Sequence, residues 1–226
     1  MPDLPELWQW AEFYCPWCYV SAVRLHAIAP EFAGKVRLRE RAFPLEVYGG
    51  GPPQREELEQ EIWLAALQEP RATFNAFKSD WPTTTLPAFE GAWSAAQQGE
   101  QIGREFDLAI RRAFFAEGLN IGKPEVILEL ARQTNLDLDR FQNLIHNGKA
   151  KQAILEEGRL GKELYKVRGT PTLMNSKGKR YRHPLAYPRM EDGRTVGVSK
   201  LECFGTGCDD LTRAFFEDTL AESKEN

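Results

Sequence analysis

Two thiols stand three positions apart in EFYCPWCYVS, residues 12–21, and two more flank a glycine-rich stretch in ECFGTGCDD, residues 202–210. Cysteines at such spacings can ligate a metal, staple a fold or exchange electrons with other thiols. The residues around Cys15 and Cys18 favour exchange. Pro16 suits the first turn of a helix, where its missing N–H costs nothing, and the aromatic run before it reads as a strand. Cys15 is thereby expected where a strand hands over to a helix, beside unpaired N–H groups at the positive end of the helix dipole. That setting stabilises a thiolate, taking a thiol from a pKa of ~8.5 to ~3.5–7.5. Cys18, one turn along the same helix, lies within disulfide reach. Cys15 is expected to be the exposed attacking thiol and Cys18 the shielded thiol that resolves mixed disulfides. Pro16 and Trp17 restrict the backbone between them, and Pro16, Trp17 and Tyr14 are expected to offer apolar surface to a substrate.

The elements that would hold these residues follow from the hydrophobic pattern. Residues 7–13 (LWQWAEF) read as a strand. From Pro16 to Phe32 apolar residues recur at helical steps, with Gly34 closing the helix. KVRLRERAF, residues 35–43, alternates as a second strand, so the first forty-odd residues form a βαβ unit, expected to be parallel and right-handed. YGGGPP at 48–53 breaks the pattern and reads as a hinge. From about 55 to 166 the periodic segments are helical, the strongest stripe being Ile102, Phe106, Ala109, Ile110, Ala113 and Phe114. TPTLMN, a polar turn at SKGK and RYRHP predict a hairpin, residues 185–202 read as a loop that could hold a small hairpin, and a last helix starts near Asp209 or Asp210. The expected division is 1–48 plus 167–226 as one discontinuous α/β domain, with 49–166 as an inserted helical domain.

Bulk composition excludes several classes. The chain has 226 residues, enough to bury a core without staples, and its net charge of −4 argues against a nucleic-acid partner. The basic cluster Lys177–Arg182 reads as a solvated hairpin tip. No apolar run approaches a membrane span, and MPDLPELWQW has neither the basic nor the apolar region of a secretory signal. A cytosolic location is expected, and there paired thiols are more often redox or metal sites than staples. Neither a phosphate-binding glycine loop nor a hydrolase or zinc-protease motif is present. His26, His146 and His183 are scattered and read as surface or packing residues. Nothing in the sequence sets an oligomeric state.

A dithiol of this kind also needs a surface for an incoming chain, and VRGTPT, residues 167–172, is the candidate. A cis proline after Thr170 at the edge of a strand would present backbone groups to an extended substrate. CPWC after a strand, a helical insertion, and GTPT before a closing ββα together resemble the DsbA-like branch of the thioredoxin superfamily, FrnE-type proteins most of all. FPL at 43–45 and RRAFFAEGLNI at 111–121 add to the likeness, which covers roughly 7–184 and the last helix. The resemblance implies an α/β thioredoxin fold (β-α-β … β-β-α) with a large helical insertion. It implies dithiol–disulfide exchange with protein or small-thiol substrates, glutathione being a candidate co-substrate and no organic cofactor or metal being needed. By the same resemblance Cys15 attacks, Cys18 resolves and Pro171 is the cis proline facing them.

Two departures stand out. Thioredoxin-type sites often carry an acidic residue six positions before the first cysteine; here that position holds Gln9, while Glu12 lies three before. Glu12 is thus a candidate proton relay, or a solvated carboxylate at the strand end. The second is Cys203 and Cys208, for which a structural clip on the last helix is preferred over an auxiliary redox pair or a metal half-site. Readings from other classes are a glutathione-dependent isomerase or transferase on the same scaffold, which typically has serine where Cys15 stands, and a four-cysteine zinc protein. Zinc would accept the ligand set, but Pro16–Trp17 is a redox-type dipeptide. A purely structural Cys15–Cys18 bridge would remove little chain entropy.

Overall fold

The computed structural model describes residues 4–52 and 54–223. Strand β1 (Glu6–Ala11) leads through a short loop into helix α1 (Pro16–Ile28), and β2 (Arg37–Ala42) returns parallel to β1. Helices α2 (Leu45–Tyr48), α3 (Arg55–Gln68), α4 (Leu86–Ala96), α5 (Glu100–Phe115), α6 (Pro124–Arg132), α7 (Leu138–His146) and α8 (Lys149–Glu163) follow. Strand β3 (Thr172–Asn175) pairs antiparallel with β1, and β4 (Arg180–Tyr181) with β3, giving the sheet order β2-β1-β3-β4. A separate hairpin, β5 (Ala186–Glu191) and β6 (Arg194–Leu201), precedes α9 (Asp209–Glu222). This is a thioredoxin-like α/β fold with helices inserted between β2 and β3.

β1 is buried on both faces, which is why it reads as a near-continuous apolar run and not as an alternation. On one face Leu7 packs with Leu25, Ile28, Phe32, Leu38, Leu173 and Phe216, so α1 and α9 lie on that side. On the other, Trp8 and Trp10 pack with Phe43, Val167 and Met174. The largest apolar cluster joins the inserted helices to the start of α1, with Phe13 and Tyr19 packed among Phe77, Phe89, Phe106, Phe114 and Phe115. The loop that carries the first cysteine is therefore anchored in the helical core.

Several boundaries differ from the sequence expectation, each for a local reason. The first strand stops at Ala11, not Phe13, because side chains take the next backbone groups: Arg111 donates to the Glu12 carbonyl and the Glu12 N–H points at Cys18 Sγ. The first helix ends at Ile28, and Pro30, which lacks an N–H, sits in a 3-10 turn over Ala29–Phe32. Residues 185–202, expected as a loop that could hold a small hairpin, form the β5–β6 hairpin over most of their length. Its turn is Asp192–Gly193, both at positive φ (49° and 74°), the geometry that an Asp-Gly pair favours in a two-residue hairpin loop. Both strands are largely exposed and their register shifts twice, so no alternation marks them.

Helix α8 approaches the sheet closely at Gly161 and helix α2 at Gly158. A Cβ at Gly161 would stand 2.7 and 2.9 Å from carbons of the Trp10 indole, and one at Gly158 would overlap the Tyr48 ring. Trp10 is fully buried and cannot swing aside. Gly161→Ala gains about 1 kcal/mol in helix propensity but overpacks at a cost of about 1–3 kcal/mol. The expected result is a lower Tm in a thermal melt; an unchanged or raised Tm would show that α8 has room to shift.

Candidate active site

Cys15 is the N-cap of α1, in extended backbone conformation with Pro16 at the first helical position. Its Sγ accepts the Cys18 backbone N–H at 3.4 Å, so one of the unpaired donors of the helix start is spent on the sulfur. On the far side, Cys15 Sγ lies 3.4 Å from the Thr170 carbonyl oxygen, to which the thiol form donates. Cys15 was expected to be exposed; it retains only 8% of its accessible surface, and Cys18 retains none. A narrow opening over Cys15 is what remains. Burial alone would raise the Cys15 thiol. Hydrogen bonding from the Cys18 thiol and the Cys18 N–H, with Thr170 alongside, outweighs it and holds Cys15 below the ordinary thiol value. Cys18 moves the other way: burial, then its donation to Cys15 and repulsion by the Cys15 charge, push its thiol well above the ordinary value. The pair therefore carries its first negative charge on the outer sulfur.

The Thr170–Pro171 peptide bond is cis and leads directly into β3. Thr170 and Pro171 are half-buried and sit beside Cys15, so residues 155 positions apart in sequence meet here. An open groove runs along this loop, lined by Lys166, Arg168, Gly169, Thr170, Pro171, Thr172 and Arg180. The groove along the Thr170–Pro171 loop is thus cationic on one side. Trp17 is half-exposed and packs near Cys15, whereas Pro16, expected to offer surface to a substrate, is buried at the helix start. Tyr14, expected to offer surface to a substrate, is instead a core residue: it belongs to the helical cluster, and its hydroxyl donates to the Gly51 carbonyl at 2.7 Å.

Behind the sulfurs lies a polar layer that sequence reasoning found only in part. The expectation of Glu12 as a solvated carboxylate is overturned, since it is fully buried. Its oxygens accept the Phe13 N–H (2.6 Å), the Leu45 N–H (2.8 Å), the Thr85 hydroxyl (2.8 Å) and, more distantly, the Tyr14 N–H (3.5 Å). Burial pushes the carboxyl up to about 7 against those donors, which favour its ionised form. Gln9 donates to the Cys18 carbonyl and, at 2.9 Å, to Glu40, its partner across the β1–β2 ladder. Glu40 in turn meets His26 Nε2 at 3.1 Å. On α5, Arg111 forks onto Asp107 at 2.8 and 3.2 Å, and both are buried. His26, Glu40 and Asp107 bring ligand atoms within 4.8 Å of one another, but the Asp107 carboxylate is already held by Arg111, so the group is an ion-pair network.

The second thiol pair is joined: Cys203 and Cys208 form a disulfide with a Cα–Cα distance of 5.2 Å. Bonded to each other, these sulfurs are not available as the thiolates of a four-cysteine zinc site. Cys208 is buried and caps α9. The next residue, Asp209, accepts Arg71 at 2.7 and 3.0 Å; Arg71 also grips Glu69, and Glu69 accepts Arg24 of α1 at 2.9 Å.

The Glu12 carboxyl has a pH signature. Its folded value is raised above that of the unfolded chain, so the folded state binds more protons between about 4.5 and 7. Stability from this group is complete below that window and falls as pH rises through it, by up to ~3 kcal/mol. His183, pushed down to about 3 chiefly by burial, acts oppositely and loses stability as pH falls below its ordinary value. The test is therefore a difference: denaturant stability from pH 5 to 8 for the parent and for Glu12→Gln. Glu12→Gln is less stable at low pH, since an amide N–H then faces N–H donors, and the gap narrows as pH rises. A gap independent of pH would place the carboxyl near its ordinary value.

Comparison with known proteins adds the family. A family model for the DSBA-like thioredoxin domain matches residues 6–184. Among solved structures, a candidate protein disulfide isomerase from Nitrosomonas europaea superposes with a TM-score of 0.67 at 18% identity, covering 98% of this chain and 100% of that one. The cytosolic disulfide reductase DsbM from Pseudomonas aeruginosa gives 0.65 at 21% identity, covering 96% and 99%, and its structure with GSH gives 0.66. The ClpXP adapter protein SpxH of Bacillus subtilis is 31% identical over 98 residues, 43% of this chain and only 32% of that protein. With the thioredoxin-like sheet, the dithiol at the helix start and a family match over most of its length, the chain belongs to the DSBA-like thioredoxin domain family.

Proposed function

We propose that this chain exchanges disulfides with anionic thiol substrates through Cys15 and Cys18, glutathione and its mixed disulfides being the small-molecule candidates. The family makes it a thiol–disulfide oxidoreductase or isomerase; the residues, substrate class and location are the proposal. The observation that carries it is Cys15 Sγ, capping α1 and facing the Thr170 carbonyl at 3.4 Å. The Cys15 thiolate attacks a substrate disulfide, an S–S bond forms to Cys15 and one substrate thiolate leaves. Cys18 then loses its proton and attacks Cys15 Sγ, releasing the second substrate thiolate. The protein ends oxidised by two electrons and the substrate reduced; the reverse sequence oxidises a dithiol. The cysteines carry the electrons, so no organic cofactor is required.

Thr170 and Pro171 would take an extended substrate beside Cys15, with Trp17 packing on it and Pro16 holding the helix start. Lys166, Arg168 and Arg180 would meet carboxylates such as the two of glutathione. DsbM, similar in fold, has been solved with GSH. A cytosolic site of action is proposed on the sequence; among the described residues no helix is long and apolar enough to cross a membrane. Glu12, whose N–H already reaches Cys18 Sγ at 3.5 Å, is the proposed relay for the Cys18 proton.

Cys15→Ser is expected to abolish exchange, while Cys18→Ser accumulates a mixed disulfide with glutathione visible by mass spectrometry. Lys166→Ala and Arg168→Ala should each lower kcat/KM for oxidised glutathione about twofold to fivefold, the range of an exposed charge contact, yet spare a neutral disulfide. Equal losses for both substrates would remove the anion preference, and full activity in Cys15→Ser would overturn the mechanism.

For Cys203 and Cys208 the clip is the proposed role. The disulfide closes a short loop and should contribute ~2 kcal/mol by chain entropy. Replacing both by serine is expected to lower the denaturation midpoint and leave the Cys15–Cys18 exchange rate unchanged. A slowed exchange at unchanged stability would instead mark an auxiliary redox pair.

A further inference from the structure

Arg111 is a fully buried cation that the exchange mechanism above does not use. Taking an ion pair out of water costs several kcal/mol per charge, and apolar residues of similar volume often serve packing as well. Its surroundings show what it holds. Two of its nitrogens fork onto Asp107, four residues earlier on α5. The third donates to the Glu12 carbonyl at 3.0 Å, and the guanidinium lies 4.7 Å from the centre of the Phe13 ring. Glu12 is the residue whose N–H donates to Cys18 Sγ at 3.5 Å. Arg111 therefore clamps the short backbone segment that hydrogen-bonds the buried sulfur, and brings a positive charge up behind it.

We infer that Arg111 is a positioning residue for the resolving cysteine, fixing Glu12 N–H on Cys18 Sγ and stabilising the thiolate that Cys18 becomes as it attacks. The inference rests on the exchange role proposed for Cys18. Cys18 is faced by Cys15 on its own helix, by Glu12 from the loop, by Glu40 with His26 through Gln9, and by Asp107 and Arg111 on α5; Glu61 of α3 acts on Cys15. Of these only Arg111 is a permanent cation. The Coulomb influence of Arg111 on Cys18 opposes the upward push of burial, in keeping with this placement. Asp107 acts in the opposite sense: it neutralises part of the charge Arg111 presents. The two halves of one ion pair should therefore move the Cys18 titration in opposite directions, which a merely structural pair would not do.

The test uses the full chain with Cys15→Ser, the Cys203–Cys208 disulfide kept intact, so that Cys18 is the single titrating thiol. The ultraviolet absorbance of its thiolate is followed against pH. Arg111→Met is expected to shift the midpoint upward, lowering the thiolate fraction at a fixed pH below the midpoint at least about threefold, half a pKa unit. Asp107→Asn, nearly isosteric, should shift it downward, and Arg111→Lys should lie between Arg111→Met and the parent. If Arg111→Met does not fold, the downward shift in Asp107→Asn decides alone. Unmoved midpoints, or shifts of the same sign in Arg111→Met and Asp107→Asn, overturn the inference. Release of glutathione from the Cys15 mixed disulfide, followed beside it with both cysteines present, should slow in Arg111→Met and quicken in Asp107→Asn. If the parent chain releases none, the resolving role falls with the exchange reading, and the titration shows separately whether the charge effect exists.

Discussion

The hydrogen bond from the Cys18 backbone N–H to Cys15 Sγ ties the chemistry of this protein to its fold. It exists only if Cys15 is extended while the residues after it are helical, so β1 has to end before the cysteine and α1 has to begin at Pro16. The loop between them has no strand partner and takes its partners from elsewhere. Phe13 enters the helical core, the Glu12 carboxylate collects donors from its own loop, from Leu45 and from Thr85, and Arg111 takes the Glu12 carbonyl. The inserted helices thus do more than enlarge the molecule: α5 supplies the group that finishes the strand-to-helix junction.

That arrangement makes two chemically identical side chains unlike. Cys15 shares donors at the helix start and is held below its ordinary pKa, whereas Cys18 is walled in and pushed above it. The difference comes from position along one helical turn, not from any distinct partner residue type. For the proposed exchange this sets a problem, since its second step needs a thiolate where burial opposes one. In the proposed roles Glu12 offers a carboxyl that titrates near neutrality and Arg111 a fixed charge.

Much of this could be read from residue order. The strand–Cys-Pro-Trp-Cys–helix junction, the parallel β1–β2 unit, the run of helices and the Thr170–Pro171 loop all carry local signals, whether proline position, apolar period or turn residues. The misses share one physical cause, that burial is a property of the assembled fold. Asp107 and Arg111 stand at the i, i+4 spacing of an ordinary solvent-side pair, one residue past the apolar positions 106 and 110, and their number alone does not reveal the covering layer. Glu12 and Tyr14 look polar and available in a strand-end loop, yet the inserted helices cover both. The β5–β6 hairpin could be read only as an alternative to a loop: Asp192–Gly193 signals the turn, but its exposed strands lack alternation.

The two thiol pairs show how the same atoms serve different ends when spacing and surroundings change. Cys15 and Cys18 lie within one helical turn, so the helix brings the sulfurs together with no further cost in chain entropy, and both are free thiols. Cys203 and Cys208 are joined across a loop with Gly205 and Gly207 in it, and that loop has to be held for α9 to start where it does. From there the path runs through ion pairs, Asp209 to Arg71 to Glu69 to Arg24, into the body of α1. α9 reaches the same helix layer through Phe216, stacked on Phe32. On the proposed clip role, a closed second pair braces the helix that presents the first, and the two are coupled through stability without passing an electron between them.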